Sequence, residues 1–155
     1  MNKMRSDDGD PNAARKAWLS LLAKVPAAKL ARLWRAYGAA PDHTLLRAPE
    51  IGGVMVRGRA GAVGAAFNLG EMTITRCSVK LGDGTVGHGY VQGRDKDHAQ
   101  QAALVDALMQ THNSGAVERA ILAPLRAEIQ TAKATRAAKA AATKVDFFTM
   151  VRGEN

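Results

Sequence analysis

Apolar positions follow a helical period towards both ends of this chain and lose it in the middle. Trp18, Leu21, Leu22 and Val25 recur at i, i+3, i+4, i+7, the stripe of an amphipathic helix. Asp10-Pro11 ahead of them reads as an N-cap followed by proline at the first helical position. Pro26 ends this helix and can start another, in which Leu30, Leu33, Trp34 and Tyr37 repeat the same spacing and Gly38 supplies the stop. The two form a helical hairpin. From residue 43 to residue 92 glycine and β-branched residues take over, and strands are predicted at 43–48, 51–59, 65–69, 71–81 and 85–92. Gly82-Asp83-Gly84 is a tight hairpin connection, and short connections imply antiparallel pairing. Within 71–81 the apolar phase switches between Ile74 and Cys77, which a β-bulge near Arg76 would accommodate. A third helix opens at Asp95 and ends near His112, with Asn113-Ser114-Gly115 as the following turn. Val117, Ile121, Leu122, Leu125 and Ile129 then carry a last helical stripe, in which Pro124 begins a new helix or kinks one. The expected class is α+β: an N-terminal helical hairpin, an antiparallel sheet, C-terminal helices and an extended docking tail.

Four segments follow. Residues 1–11 are expected to be a disordered start, 12–129 a single α+β domain, 130–144 a helical stalk and 145–155 a tail. The stalk holds seven alanines, four Lys or Arg and no large apolar residue. It favours helix by propensity but offers nothing to a core. After it come Phe147, Phe148, Met150 and Val151. Termini are normally polar and frayed, and burying each Phe side chain is worth roughly 1.5–3 kcal/mol. These four residues are therefore expected to pack against something, and the polar stalk before them favours a surface on another chain over the chain's own domain.

Composition narrows the classes. At 155 residues the chain suits one domain. Apolar content of 46% is ordinary, but aromatics are only 5%, so the core must rely on Leu, Val, Ile, Met and Ala. The single cysteine, Cys77, cannot form an internal disulfide, which suits a reducing cytoplasm. No run approaches the roughly 20 apolar residues of a membrane span, and residues up to Lys16 lack an apolar signal region. The expected setting is cytoplasmic, with no membrane partner. With 22 Lys plus Arg against 14 Asp plus Glu, the net charge is +8. The excess is localised: residues 12–37 carry six basic side chains and no acid, and the stalk is likewise acid-free. Attraction to anionic partners follows, although solvated helix faces would show the same pattern.

Candidate chemistry is sparse. Gly93-Arg94-Asp95-Lys96-Asp97-His98 sits where a strand meets a helix, a junction whose free N–H groups can hold phosphate, with Arg94, Lys96 and His98 as the binding residues. Asp95 and Asp97 compete for the same N–H groups, and helix capping is the commoner use of such residues. His98 and Asp106 cannot hydrogen-bond each other, because eight helical residues rise about 12 Å and turn about 80°. Asp106, close to Ala102, Ala103 and Met109, is expected to be partly buried with a partner of its own. The four histidines form no HxxxH or HxH pair, so no metal site is expected. Gly58, Gly61 and Gly64 form GxxGxxG without the Lys-Ser/Thr of a phosphate loop, and hairpin geometry explains them better. Cys77 reads as a core residue. His88 and Tyr90 share a strand face with Val86 and Gln92, a possible stacking surface for a base, but the sheet has few aromatics and no nucleic-acid partner is expected.

Two longer segments go further: Gly89-Tyr90-Val91-Gln92-Gly93-Arg94-Asp95-Lys96, continuing through His98-Ala99 to Ala103-Leu104-Val105-Asp106-Ala107-Leu108-Met109-Gln110, and Val145-Asp146-Phe147-Phe148-Thr149-Met150-Val151-Arg152-Gly153. With them the chain resembles the PhnG family, a subunit of the bacterial carbon–phosphorus lyase system, from about Arg15 to the end. Arg15-Lys16-Ala17-Trp18 and the run from Leu81 to Gly87 fit as well, and both main motifs are too long for chance. The resemblance implies a role in using organic phosphonates as a phosphorus source, as an accessory, non-catalytic subunit alongside PhnH, PhnI and PhnJ. That assembly displaces adenine from ATP with methylphosphonate to give α-D-ribose 1-methylphosphonate 5-triphosphate. ATP is thus implied as a substrate of the complex, with no cofactor in this chain. The nucleosidase-like centre is implied for PhnI and the later radical cleavage, with its iron–sulfur cluster and S-adenosylmethionine, for PhnJ. No catalytic residue is carried over to this chain. The rival expectations are a basic nucleic-acid-binding module and a stand-alone enzyme using Arg94, Asp95 and His98.

Overall fold

The computed structural model describes residues 12–38, 41–61 and 63–145. In chain order these form α1 (Ala13–Lys24), α2 (Ala27–Tyr37), β1 (His43–Arg59), β2 (Ala66–Leu81), β3 (Val86–Gln92), α3 (Lys96–Met109), α4 (Ser114–Val117) and α5 (Ala123–Ala142). The sheet is antiparallel with order β1-β2-β3. The architecture is α+β with an N-terminal helical hairpin. The capping role expected of Asp10 and Pro11 lies outside the described residues. Gly38 does end α2, at φ 70, and its N–H donates to the Trp34 carbonyl at 3.1 Å.

Helical stripes become the core. Leu22 of α1, Val25 just after it, Leu30 of α2, and Val117, Ile121, Leu122 and Leu125 towards the C-terminal helices are all buried. Between α4 and α5, Glu118–Leu122 is a π-helical turn, and the Ala123 N–H reaches back to the Glu118 carbonyl. Pro124 follows at once, in the first turn of α5. The wider turn keeps the backbone bonded across a proline that has no N–H to give, so the stripe runs on instead of breaking.

The sheet has fewer and longer strands than the residue pattern predicts. Segments 43–48 and 51–59 are one strand, and 65–69 and 71–81 are another. Register shifts between Leu45/Arg47 and Arg47/Glu50 absorb Pro49 on β1, an edge strand that tolerates a residue without an N–H. The bulge expected near Arg76 is absent from β2, which pairs with β3 without interruption from Ile74 to Lys80. The inward phase is kept by Thr75 instead of Ile74. Thr75 is fully buried and its hydroxyl donates to the Gly93 carbonyl at 2.7 Å. The Gly82-Asp83-Gly84 connection forms as expected, with Leu81 N–H donating to Thr85 O at 2.9 Å and Asp83 Oδ1 accepting from Thr85 N–H at 2.9 Å.

α3 lies across the inner face of β2 and β3, and the contact is made by small residues. Gly87, Gly89 and Val91 of β3 face Ala99, Ala103 and Ala107 of α3. A Cβ on Gly87 would stand 2.6 Å from the Ala107 nitrogen, and one on Gly89 3.0 Å from the Ala103 nitrogen, with carbonyl oxygens nearer still. Main chain thus meets main chain along this seam. The other face of β3 carries His88, Tyr90 and Gln92, which are exposed.

Beyond the Ile74–Gln92 pair the sheet narrows to two strands. β1 and β2 continue from Gly53↔Thr73 to Arg59↔Ala66, forming an arm clear of β3. None of the β1 side chains is buried. The expected stalk is the second half of α5, where every residue from 130 to 142 is exposed. No helix among the described residues is long and apolar enough to cross a membrane.

The glycine seam makes a sharp prediction. Gly89→Ala should lower unfolding free energy by about 1–3 kcal/mol through overpacking, measured by urea denaturation. Gly70→Ala, where nothing lies within 4 Å, should stay within about 0.5 kcal/mol of the parent. Equal effects at the two positions would contradict the close approach.

Candidate functional site

Buried polar side chains are few among the described residues: Thr75, His98 and Asp106. Asp106 is the most heavily engaged. It projects from α3 with no solvent exposure and accepts from Arg15 Nε at 3.1 Å, Arg15 Nη2 at 2.7 Å and Trp18 Nε1 at 2.8 Å, all on α1. Its Oδ2 also accepts the backbone N–H of His88 at 2.8 Å. β3 is an edge strand, and this N–H is one that a further strand would have satisfied. Close by, Gln110 Nε2 donates to the Val86 carbonyl at 2.9 Å. Side chains of α1 and α3 therefore close the edge. The Arg15 pKa rises through its hydrogen bond to Asp106, against the opposing effect of partial burial. Ringed by donors, Asp106 has a structural partner set and no open side for a substrate proton.

The strand–helix junction is built by Gly93, at φ 93, whose N–H donates to Thr73 O at 3.0 Å. Asp95 then caps α3, its Oδ1 accepting the His98 N–H at 2.9 Å. The ring of His98 turns inward, 3% exposed, and donates from Nε2 to the Leu22 carbonyl of α1 at 3.1 Å. Desolvation lowers the His98 pKa below the usual histidine value, with the Leu22 hydrogen bond and Asp95 opposing. Arg94 and Lys96 are exposed. Arg94 lines a shallow cleft of about 320 Å³ with Ile51, Gly52, Gly53, Glu71 and Thr73. The junction thus places Arg94 and Lys96 at the surface and His98 in the α1–α3 interface.

Other candidates fall into place. Cys77 is 1% exposed in the core, where burial pushes its thiol pKa up. His43 bonds Pro41 O through Nδ1 at 2.8 Å and Gln100 through Nε2 at 3.1 Å, and His88 Nδ1 meets Ser78 Oγ across the strands at 2.9 Å. No group of three or more metal-binding side chains occurs among the described residues. Tyr90 lines a cleft of about 540 Å³ with Arg15, Lys16, Leu19 and Ser20. Phe147, Phe148, Met150 and Val151 lie outside the described residues.

One arrangement was not legible in the residue pattern. The two acid-free basic segments meet. A groove of about 590 Å³ between the α1–α2 hairpin and α5 has Leu21, Pro26 and Ile129 on its floor and Lys24, Lys29, Lys133 and Arg136 around it. Glu128 of α5 answers two cations of α2, bonding Lys29 Nζ at 3.1 Å and also Arg32. Exposed pairs of this kind contribute little to stability, but they hold α5 beside the hairpin.

Two measurements check these assignments. Asp106→Ala should cost about 3–5 kcal/mol because it leaves a partly buried cation and the N–H groups of Trp18 and His88 without an acceptor, and a double-mutant cycle with Arg15→Ala in urea should show coupling of at least about 0.5 kcal/mol. Additive losses would refute the pairing. For His98 the folded pKa is depressed, so the unfolded chain binds the proton first. Stability should therefore fall as pH drops below about 6.5, the unfolded value. Melting midpoints between about pH 7 and about pH 5.5, above the carboxylate range, should decline less in His98→Leu than in the parent.

Comparison with known proteins places the chain in a family. The family profile described as "Phosphonate metabolism protein PhnG" matches residues 13–153. A protein of Rhizobium meliloti (strain 1021), named alpha-D-ribose 1-methylphosphonate 5-triphosphate synthase subunit PhnG, is 41% identical over 155 residues, covering 100% of this chain and 99% of that protein. With the match running from α1 past the end of α5, the chain belongs to the PhnG family of phosphonate metabolism proteins.

Proposed function

We propose that this chain is an accessory subunit of a synthase that makes α-D-ribose 1-methylphosphonate 5-triphosphate during phosphonate catabolism. The observation that carries this reading is the end-to-end similarity to a protein named as a subunit of that enzyme. The structure supports an accessory role. Among the described residues, the buried imidazole of His98 and the buried carboxylate of Asp106 are taken up in holding α1, α3 and β3 together. The other participants in this reading are subunits of the PhnH, PhnI and PhnJ kinds, ATP is a substrate of the whole and not a cofactor of this chain, and the assembly is a cytoplasmic hetero-oligomer used when phosphate is scarce. Phe147, Phe148, Met150 and Val151 supply a contact with a partner subunit, carried beyond the exposed end of α5.

Co-expression with the other three subunits tests this. The full chain should co-purify with them, and a chain lacking residues 145–155 should not, while keeping the parent's melting midpoint. Normal co-purification of the shortened chain would remove the tail from the interface. The chain alone should leave ATP and methylphosphonate unchanged. Turnover by the isolated protein would favour a self-sufficient enzyme instead.

A further inference from the structure

The arm formed by the outer halves of β1 and β2 is out of proportion to what supports it. A two-stranded ribbon is marginally stable in water unless a face of it is covered. Here the ribbon runs about 23 Å beyond the last β3 pair, taking seven residues of β1 at roughly 3.3 Å each. Register assigns its faces. Val54 pairs with Met72 and Gly58 with Phe67, and Leu69 lies over Gly58, so these apolar side chains share one face. That face continues Ile74 of the sheet, which is 3% exposed, out to Leu69 at 66% and Phe67 at 45%. At the tip Val63 is 99% exposed. The opposite face carries Met55, Arg57 and Arg59, with Glu71 the one acid between residues 51 and 73. A monomeric surface seldom leaves so continuous an apolar strip uncovered.

We infer that this arm is an interaction surface, and that its occupant is another subunit of the synthase presenting an apolar groove bordered by carboxylates. The inference rests on the subunit reading above and adds a second contact, independent of the tail. Size fits: residues 51–73 match the roughly 20–30 residues that one side of a standard interface uses. Charge selects the partner. Arg57 and Arg59 back the apolar strip on the ribbon's other face and the whole chain carries +8, so a second copy of the same chain brings repulsion and an acidic partner brings attraction. Phe67 and Leu69 are the anchors, large side chains at the outer end of the face, and the arginines set orientation and encounter rate.

The test uses the full chain co-expressed with the remaining synthase subunits. Phe67→Ser with Leu69→Ser should weaken assembly at least about a hundredfold, while urea unfolding of the isolated chain stays close to the parent. Arg57→Glu with Arg59→Glu should slow association and flatten its salt dependence. Backbone amides of residues 51–73 should exchange more slowly in the assembly than in the isolated chain. Assembly of both double variants at parental affinity would overturn the arm proposal and leave the subunit reading intact. Concentration-dependent dimers of the isolated parent, lost in Phe67→Ser with Leu69→Ser, would overturn it in favour of a second copy. A parent chain that joins none of the other subunits would overturn both readings together.

Discussion

A single fully buried carboxylate ties three elements of this fold together. Asp106 sits on α3, takes two hydrogen bonds from Arg15 and one from Trp18 on α1, and accepts the edge N–H of β3. Each donor solves a problem for the others. The edge strand is closed to further pairing, the indole N–H is satisfied while its ring packs against the core, and the carboxylate has the donors it needs to be tolerated away from water. Removing any one would leave buried polar atoms without partners. The orientation of the helical hairpin on the sheet follows from this cluster, and so do the clefts and the groove that the hairpin borders.

The second constraint is steric. Gly87 and Gly89 let β3 approach Ala99, Ala103 and Ala107 so closely that no side chain fits between. This explains how a chain with so few aromatics makes a sound core. It packs backbone against backbone along one seam and fills the rest of the core, on the sheet and between the helices, with Leu, Val and Ile. Close packing also brings α1 within reach of α3, so the seam and the Asp106 cluster depend on each other.

What remains outside that core is long and exposed. The arm leaves the sheet in one direction and α5 runs on as a solvated helix. Neither the arm nor residues 130–142 of α5 add much to the stability of the domain, since neither buries side chains in it. Two such extensions suit the proposed subunit role, and the local charge of each, Arg57 and Arg59 on one and Lys133 and Arg136 on the other, is positive.

Sequence alone determined what local periodicity and turn chemistry can determine. The stripes Trp18–Val25, Leu30–Tyr37 and Val117–Ile129 named the helices and their inward sides, Asp95 and Gly82-Asp83-Gly84 named a cap and a hairpin, and Asp106 stood out as an acid among small apolar neighbours. Those signals are carried by residues a few positions apart, whose geometry the backbone dictates. Only the tertiary structure decided the rest. Asp106 meets Arg15 across 91 positions and His98 meets Leu22 across 76, distances over which no repeat in the chain encodes a partner. Strand continuity through Pro49 and Gly70 was decided by pairing, because a register shift costs less than ending a ribbon whose other bonds are already made. The meeting of the two basic segments at one groove likewise depended on how α5 lies beside the hairpin, a matter of packing that residue order does not record.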